Sequence, residues 1–255
     1  MTDTVKLSPD ERLDDLQFKG LKVIQNSSYF SFGTDAVLLA RFACPKDSDT
    51  VLDLGTGTGI IPIMTAGLCC AKRIVGIEIQ QCMSEMASRS ISLNALEDRV
   101  EILTMDIKLA ADHFGCGEFS LVISNPPYIK AGSGLVNPES QKAISRHEVL
   151  CKLSDVAAAA GRLLKSGGRF CMVHKPERMI ECFDSLRAQG IEPKRLQMIY
   201  PTAEKQPSAV LIEGVKGAKP GLRVLRQITL MDENGLYSRQ LQKIYADEGA
   251  CYFGE

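Results

Sequence analysis

The stretch Thr50-Val-Leu-Asp53-Leu-Gly55-Thr-Gly57-Thr-Gly59-Ile-Ile decides how this chain folds. It opens as a short apolar strand, and an apolar helical pattern over 59–70 follows the third glycine. Glycines at alternate positions let the backbone turn sharply between strand and helix and let a ligand approach the chain closely. Strand, glycine turn and helix make the first half of a βαβ unit.

The same rhythm runs downstream. Residues 73–78, 100–105, 119–124 and 168–173 read as strands, with helical stretches at 80–95 and 148–165. Two more runs, 196–200 and 209–215, bring the strands to seven. This order predicts an α/β fold with a doubly wound, seven-stranded, mostly parallel sheet. The strand runs are nearly continuously apolar, as in a sheet covered on both faces. Upstream, 21–24 and 29–32 read as a hairpin, and Thr34 as the cap of a short helix through Ala43. From Gly221 the chain predicts one more strand and a short helix. The expected division is an N-terminal hairpin and helix over the ligand site (1–49), the sheet domain (50–216) and a C-terminal extension (217–255).

Composition narrows the class. The chain has 255 residues, 45% hydrophobic and 24% charged, enough for one large domain with a substantial core. No apolar run reaches the ~18 residues of a membrane span, and the charged opening Met1-Thr-Asp-Thr-Val-Lys predicts no secretory signal. Nine cysteines with no C-x-x-C pair, most of them in apolar runs, fit free thiols in a reducing cytoplasm. The formal charge of −1 hides an asymmetry: residues 161–226 carry thirteen Lys/Arg against six Asp/Glu, whereas 1–160 carry fifteen against twenty. Such a division suits an acidic site for a cationic ligand beside a basic surface for a polyanion, or simply a solvated face.

The glycine loop lacks the Lys-Ser/Thr of a phosphate-binding loop. Asp53, two residues before its first glycine, would repel a pyrophosphate. Glu78 ends the second strand, where a ribose would be held, and Asp106 follows the third, on the edge where open α/β sheets bind ligands. These features leave a dinucleotide-binding or purely structural α/β domain as alternatives. The fourth strand ends in Ser124-Asn125-Pro126-Pro127-Tyr128, a rigid turn because two prolines cannot continue a ladder.

Loop, acids and tetrapeptide together resemble the S-adenosylmethionine-dependent methyltransferases with a Rossmann-like (class I) sheet, specifically those that modify planar nitrogens. That resemblance implies S-adenosylmethionine as cofactor. Asp53, Gly55, Thr56, Gly57 and Gly59 would hold its methionine part, Glu78 its ribose and Asp106 its adenine amino group, with Ile79 and Ile107 flanking the ring. Asn125, Pro126, Pro127 and Tyr128 would be catalytic, with Asn125 also beside the cofactor. The chemistry explains the residue types. An adenine N6 lone pair is delocalised into the ring, and two acceptors on its N–H bonds, the Asn125 side chain and the Pro126 carbonyl, favour a localised lone pair. Tyr128 would stack on the base. No metal is implied, since the three histidines show no ligand spacing.

The segment Phe30-Ser-Phe32-Gly33-Thr34-Asp35-Ala-Val-Leu-Leu-Ala40 and the later Arg146-His147-Glu148 are similar to bacterial tRNA1(Val) adenine-N6 methyltransferases, over about residues 10 to 250. This adds Phe32, Thr34 and Asp35 to the cofactor side and names tRNA as partner. Lys130, Arg146, Lys194, Arg195, Lys205, Lys219 and Arg223 are its candidate RNA contacts. Release-factor glutamine methyltransferases share the tetrapeptide but usually carry a helical domain ahead of the loop. Guanine-N2 methyltransferases of ribosomal RNA often duplicate the sheet, whereas one glycine loop occurs here.

Overall fold

The computed structural model describes residues 7–26, 33–126 and 152–246. Its strands are β1 (Glu11–Asp15), β2 (Lys22–Asn26), β3 (Thr50–Leu54), β4 (Arg73–Glu78), β5 (Val100–Thr104), β6 (Phe119–Ser124), β7 (Leu164–His174), β8 (Ile191–Tyr200), β9 (Ala209–Lys216), β10 (Arg223–Val224) and β11 (Ile228–Thr229). Its described helices are α1 (Thr34–Phe42), α2 (Ile60–Leu68), α3 (Gln81–Leu93), α4 (Ala110–Phe114), α5 (Leu153–Leu163), α6 (Met179–Arg187) and α7 (Arg239–Tyr245).

The seven expected strands form one sheet in the order β8-β9-β7-β6-β3-β4-β5, in which β9 alone runs against its neighbours. β10 and β11 both lie along the outer edge of β8, making nine strands in this sheet among the described residues. The C-terminal residues therefore add two short parallel strands rather than one. The chain winds outward from β3 through β4 to β5, then returns to β6 on the other side of β3. The carboxyl ends of β3 and β6 thus frame the crevice where the strand order reverses.

Alternation along the strands sorts the core into two layers. Val51, Ile74, Leu121 and Cys171 bury against α1 and α2, together with Leu16, Phe18, Leu241 and Ile244 from the two ends of the described chain. Leu52, Val75, Val122 and Phe170 face α5 and α6. Helix α5 is lined with small residues for a reason: a Cβ on Gly161 would lie 2.8 Å from the Cβ of Gln189, so the helix packs too closely for a larger side chain.

β2 pairs with Glu11–Asp15, and the expected strand at 29–32 lies outside the described residues. β1 is charged and mostly exposed, so only its pairing reveals it as a strand. Gly33, not Thr34, is the cap of α1, and no side chain caps that helix. β7 begins four residues before the expected 168, and Ser166–Gly168 forms an irregularity inside it, where the register against β6 shifts.

Candidate active site

Asp53 stands one residue from the end of β3, opposite Gly76 of β4. A Cβ on Gly76 would lie 2.8 Å from Thr56 Oγ, so glycine there lets the loop fold down over the strand. The N–H groups of Gly55 and Thr56 both donate to the Ile77 carbonyl at 2.9 Å. Gly57 adopts φ 56° and donates its N–H to Glu78 Oε2 at 3.0 Å, while Gln80 N–H donates to Oε1 at 3.0 Å. The carboxylate at the end of β4 is therefore fixed against the glycine loop. Gly59 caps α2 at φ 84°, and a Cβ there would meet Ala87 Cβ at 3.1 Å.

The two acids differ in what answers their charge. Glu78 has backbone N–H partners, whereas Asp53 is 1% exposed and, among the described residues, neither its carboxylate oxygens nor the nearby Thr56 hydroxyl makes a hydrogen bond of ordinary geometry. Burial pushes the Asp53 acid up to about 7. Proximity of the Thr56 hydroxyl offsets part of this and the charge of Glu78 adds to it. A buried acid without a partner is costly in a closed fold. It suits a site that receives a cation, and the sulfonium and ammonium of S-adenosylmethionine fit it.

Asp106 follows β5 and accepts the Lys108 N–H at 2.9 Å, capping a 3-10 turn. Ile79 is 39% exposed beside Glu78, and Ile107, directly after Asp106, is 8% exposed. On the other wall, Ser124 Oγ donates to the Leu54 carbonyl at 2.9 Å, tying the end of β6 to the end of β3. Asn125 and the buried Pro126 follow at once, beside the glycine loop. Pro127, Tyr128, Phe32, Lys130 and Arg146 lie outside the described residues.

α1 runs back from the site: its last carbonyl, Phe42, accepts from Arg195 at 2.9 Å, and Asp35 lies half-buried in its first turn. Thr34 is engaged by the Tyr245 phenol, so the C-terminal helix packs at the start of α1. One supporting residue escaped the sequence reading. Gln25, fully buried in β2, donates its amide to Thr58 Oγ at 2.9 Å and braces the glycine loop from outside the sheet. The only local signal for it is a polar side chain at the end of an apolar strand.

The basic candidates divide. Arg195 is not an RNA contact: it donates to both oxygens of Glu213 at 2.9 and 2.7 Å and to the Phe42 carbonyl, inside the fold. β9 runs toward the edge opposite the glycine loop, so Lys219, in the loop after it, lies far from the crevice. Lys194 donates to the Lys219 carbonyl, and Arg223 pairs beside Arg195 in mid-strand. Lys205, exposed in the 201–208 loop, is at the carboxyl edge with the site. Among the described residues no group of His, Cys, Asp and Glu is placed to hold a metal, and no helix is long and apolar enough to cross a membrane.

Sheet order, glycine loop and the acids ending β4 and β5 define a Rossmann-like methyltransferase that depends on S-adenosylmethionine. Residues 20–188 match the methyltransferase small domain. A Porphyromonas gingivalis tRNA1(Val) (adenine(37)-N6)-methyltransferase is 30% identical over 78% of this chain and 80% of its own. One from Pectobacterium carotovorum is 28% identical over 92% and 94%. The chain belongs to the methyltransferase small-domain family and, within it, to the group of these tRNA1(Val) methyltransferases. Among solved structures, an Agrobacterium tumefaciens protein described as a predicted O-methyltransferase superposes with a TM-score of 0.67 at 22% identity, over 83% of this chain and 95% of that one. Geranyl diphosphate C-methyltransferase from Streptomyces coelicolor, in complex with S-adenosyl-L-homocysteine, gives 0.53 at 14% identity, over 72% and 80%. Oxygen and carbon acceptors on this one fold mean that the acceptor must be argued from the site.

Proposed function

We propose that this protein transfers a methyl group from S-adenosylmethionine to the exocyclic N6 of an adenine in tRNA, at position 37 beside the anticodon of tRNA1(Val). The observation that carries the reading is the Ser124–Leu54 bond, which holds Asn125 and Pro126 at the mouth of the glycine loop. The names of its relatives supply the nucleic acid and the position. The work of the reaction is in the cytoplasm, where tRNA is modified.

S-adenosylmethionine supplies an electrophilic methyl on a sulfonium, with a neutral thioether as leaving group. The chain's own part is holding and orientation. Asp53 and the loop from Gly55 to Gly59 receive the methionine end, Glu78 the ribose and Asp106 the adenine. The Asn125 amide oxygen and the Pro126 carbonyl accept the two N–H bonds of the target amine, and the rigid turn holds both acceptors where charge develops. No strong base is needed, because the amine proton becomes acidic only after attack. Alignment of donor and acceptor then supplies much of the rate. An anticodon-loop adenine is unpaired, so placing it in the crevice costs little.

The test is label transfer from S-adenosylmethionine to unmodified total tRNA, ribosomal RNA and release factor in separate reactions, followed by nucleoside and amino-acid analysis. The expected product is N6-methyladenosine from tRNA. Label on glutamine in the release factor, or on guanine in ribosomal RNA, would overturn the substrate.

A further inference from the structure

The C-terminal residues hold an exposed tyrosine, Tyr237, stacked on the partly buried Tyr245, at the same edge of the sheet as the reaction crevice, and the mechanism above makes no use of it. β11 lies along the last two residues of β8, and Leu230 and Met231 N–H groups donate to the Tyr200 and Pro201 carbonyls, at 2.8 and 2.9 Å. The following turn, 232–237, therefore projects beyond the carboxyl edge. Thr34, at the start of α1, meets Tyr245 there.

The turn is rigid. Asp232 Oδ1 accepts the N–H groups of Asn234 at 2.9 Å and Leu236 at 3.0 Å, and Asp232 N–H donates to the Leu236 carbonyl at 2.8 Å. Gly235 takes φ 74°, Met231 bridges to Tyr237, and the Gln242 amide donates to the Tyr237 carbonyl at 2.7 Å. The Tyr237 ring lies against that of Tyr245, centroids 6.1 Å apart and planes within 5°. Yet Tyr237 remains 44% exposed and Leu236 64%. Scattered exposed apolar side chains need no explanation. An aromatic ring stacked on a second ring, on a turn fixed by four hydrogen bonds and a β-bridge, has already lost the freedom that binding would otherwise cost it.

We propose that Tyr237 is a stacking site for an unpaired base of the RNA whose adenine enters the crevice. The proposal rests on the tRNA reading above and adds a substrate-binding residue to it. Charge is not what this turn offers: Asp232 is committed to the turn and Glu233 is exposed beside it. A flat ring offers a sequence-tolerant contact with a base, and the phosphates are left to basic residues such as Lys205.

The test compares Tyr237→Ala, Tyr237→Phe and the unaltered enzyme, by steady-state methylation of an unmodified tRNA transcript and by direct binding of an anticodon stem-loop RNA. Tyr237→Ala is expected to raise KM for tRNA and weaken stem-loop binding about tenfold, with kcat and S-adenosylmethionine affinity unchanged. Tyr237→Phe should restore both, since the ring and not the hydroxyl makes the contact. The ratio between Ala variant and unaltered enzyme should stay constant as salt rises, unlike a phosphate contact. Unchanged RNA affinity in Tyr237→Ala, or a fall matched by loss of S-adenosylmethionine binding, overturns the stacking site while leaving the tRNA reading in place. An unaltered enzyme that binds S-adenosylmethionine but neither binds nor methylates RNA overturns both.

Discussion

Two places in this sheet bury charged groups, and they do so in opposite ways. In the outer half, Arg169 donates to Asp49 at 3.0 Å, to Glu213 at 3.4 Å and to the Ala43 carbonyl at 2.6 Å, and Arg195 closes on Glu213 from the next strand. Each of these charges is answered within the fold. At the β3 end, Asp53 is more deeply buried than any of them, and among the described residues its two carboxylate oxygens have no hydrogen-bond partner. The difference separates charge that holds a fold together from charge kept for a ligand. A basic side chain in a basic tract need not face a polyanion, and a lone buried acid need not be a fault.

The sharpest way to break the comparison is to unpair the outer cluster. Glu213→Ala leaves the half-buried Arg195 without a carboxylate and Arg169 with Asp49 alone, and should lower unfolding free energy by about 3 kcal/mol. Thermal unfolding checks this, and affinity for S-adenosylmethionine in the protein that remains folded should be unchanged. Comparable in free energy, Asn125→Ala should lower kcat about 100- to 1,000-fold while cofactor affinity stays within about twofold. Equal loss of both in calorimetry and steady-state kinetics would mean that Asn125 serves the cofactor and not the amine.

Asp53→Asn inverts the outer result. It removes the unpartnered buried charge, so chemical denaturation above neutral pH should show unchanged or increased stability, whereas S-adenosylmethionine should bind about tenfold more weakly. The pH dependence follows from the same acid. Its folded value, about 7, lies above the ordinary 3.8, so its contribution to stability is full below the ordinary value and lost as pH rises through about 7. A cationic ligand favours the ionised form. Binding should therefore release a proton below that point, and affinity should tighten from pH 5.5 to 7.5 by about tenfold before levelling. Titration calorimetry in buffers of different ionisation enthalpy reads the proton directly, and Asp53→Asn should abolish it. The smallest effect separates the two ends of the basic tract: Lys205→Glu should raise KM for tRNA about threefold, and Lys219→Glu, at the far edge, less.

Sequence by itself determined the order of the seven principal strands, the glycine turn, the acids at Asp53, Glu78 and Asp106, and the position of Asn125 and Pro126 at a strand's end. Each of these is written in local chemistry. Apolar runs make strands, glycine permits the turn, proline stops the ladder, and in a parallel sheet a strand's carboxyl end is fixed once its direction is known. The tertiary structure alone decided what depends on residues far apart in the chain. It paired the charged Glu11–Asp15 with β2, placed Gln25 against Thr58, and turned Thr34 toward Tyr245. It also drew Arg195 onto Glu213 and Phe42, and put Lys205 and Lys219 toward different edges of one sheet. A side chain's type is local, but whether its charge meets water, a partner or a ligand is set by which strand lies beside it.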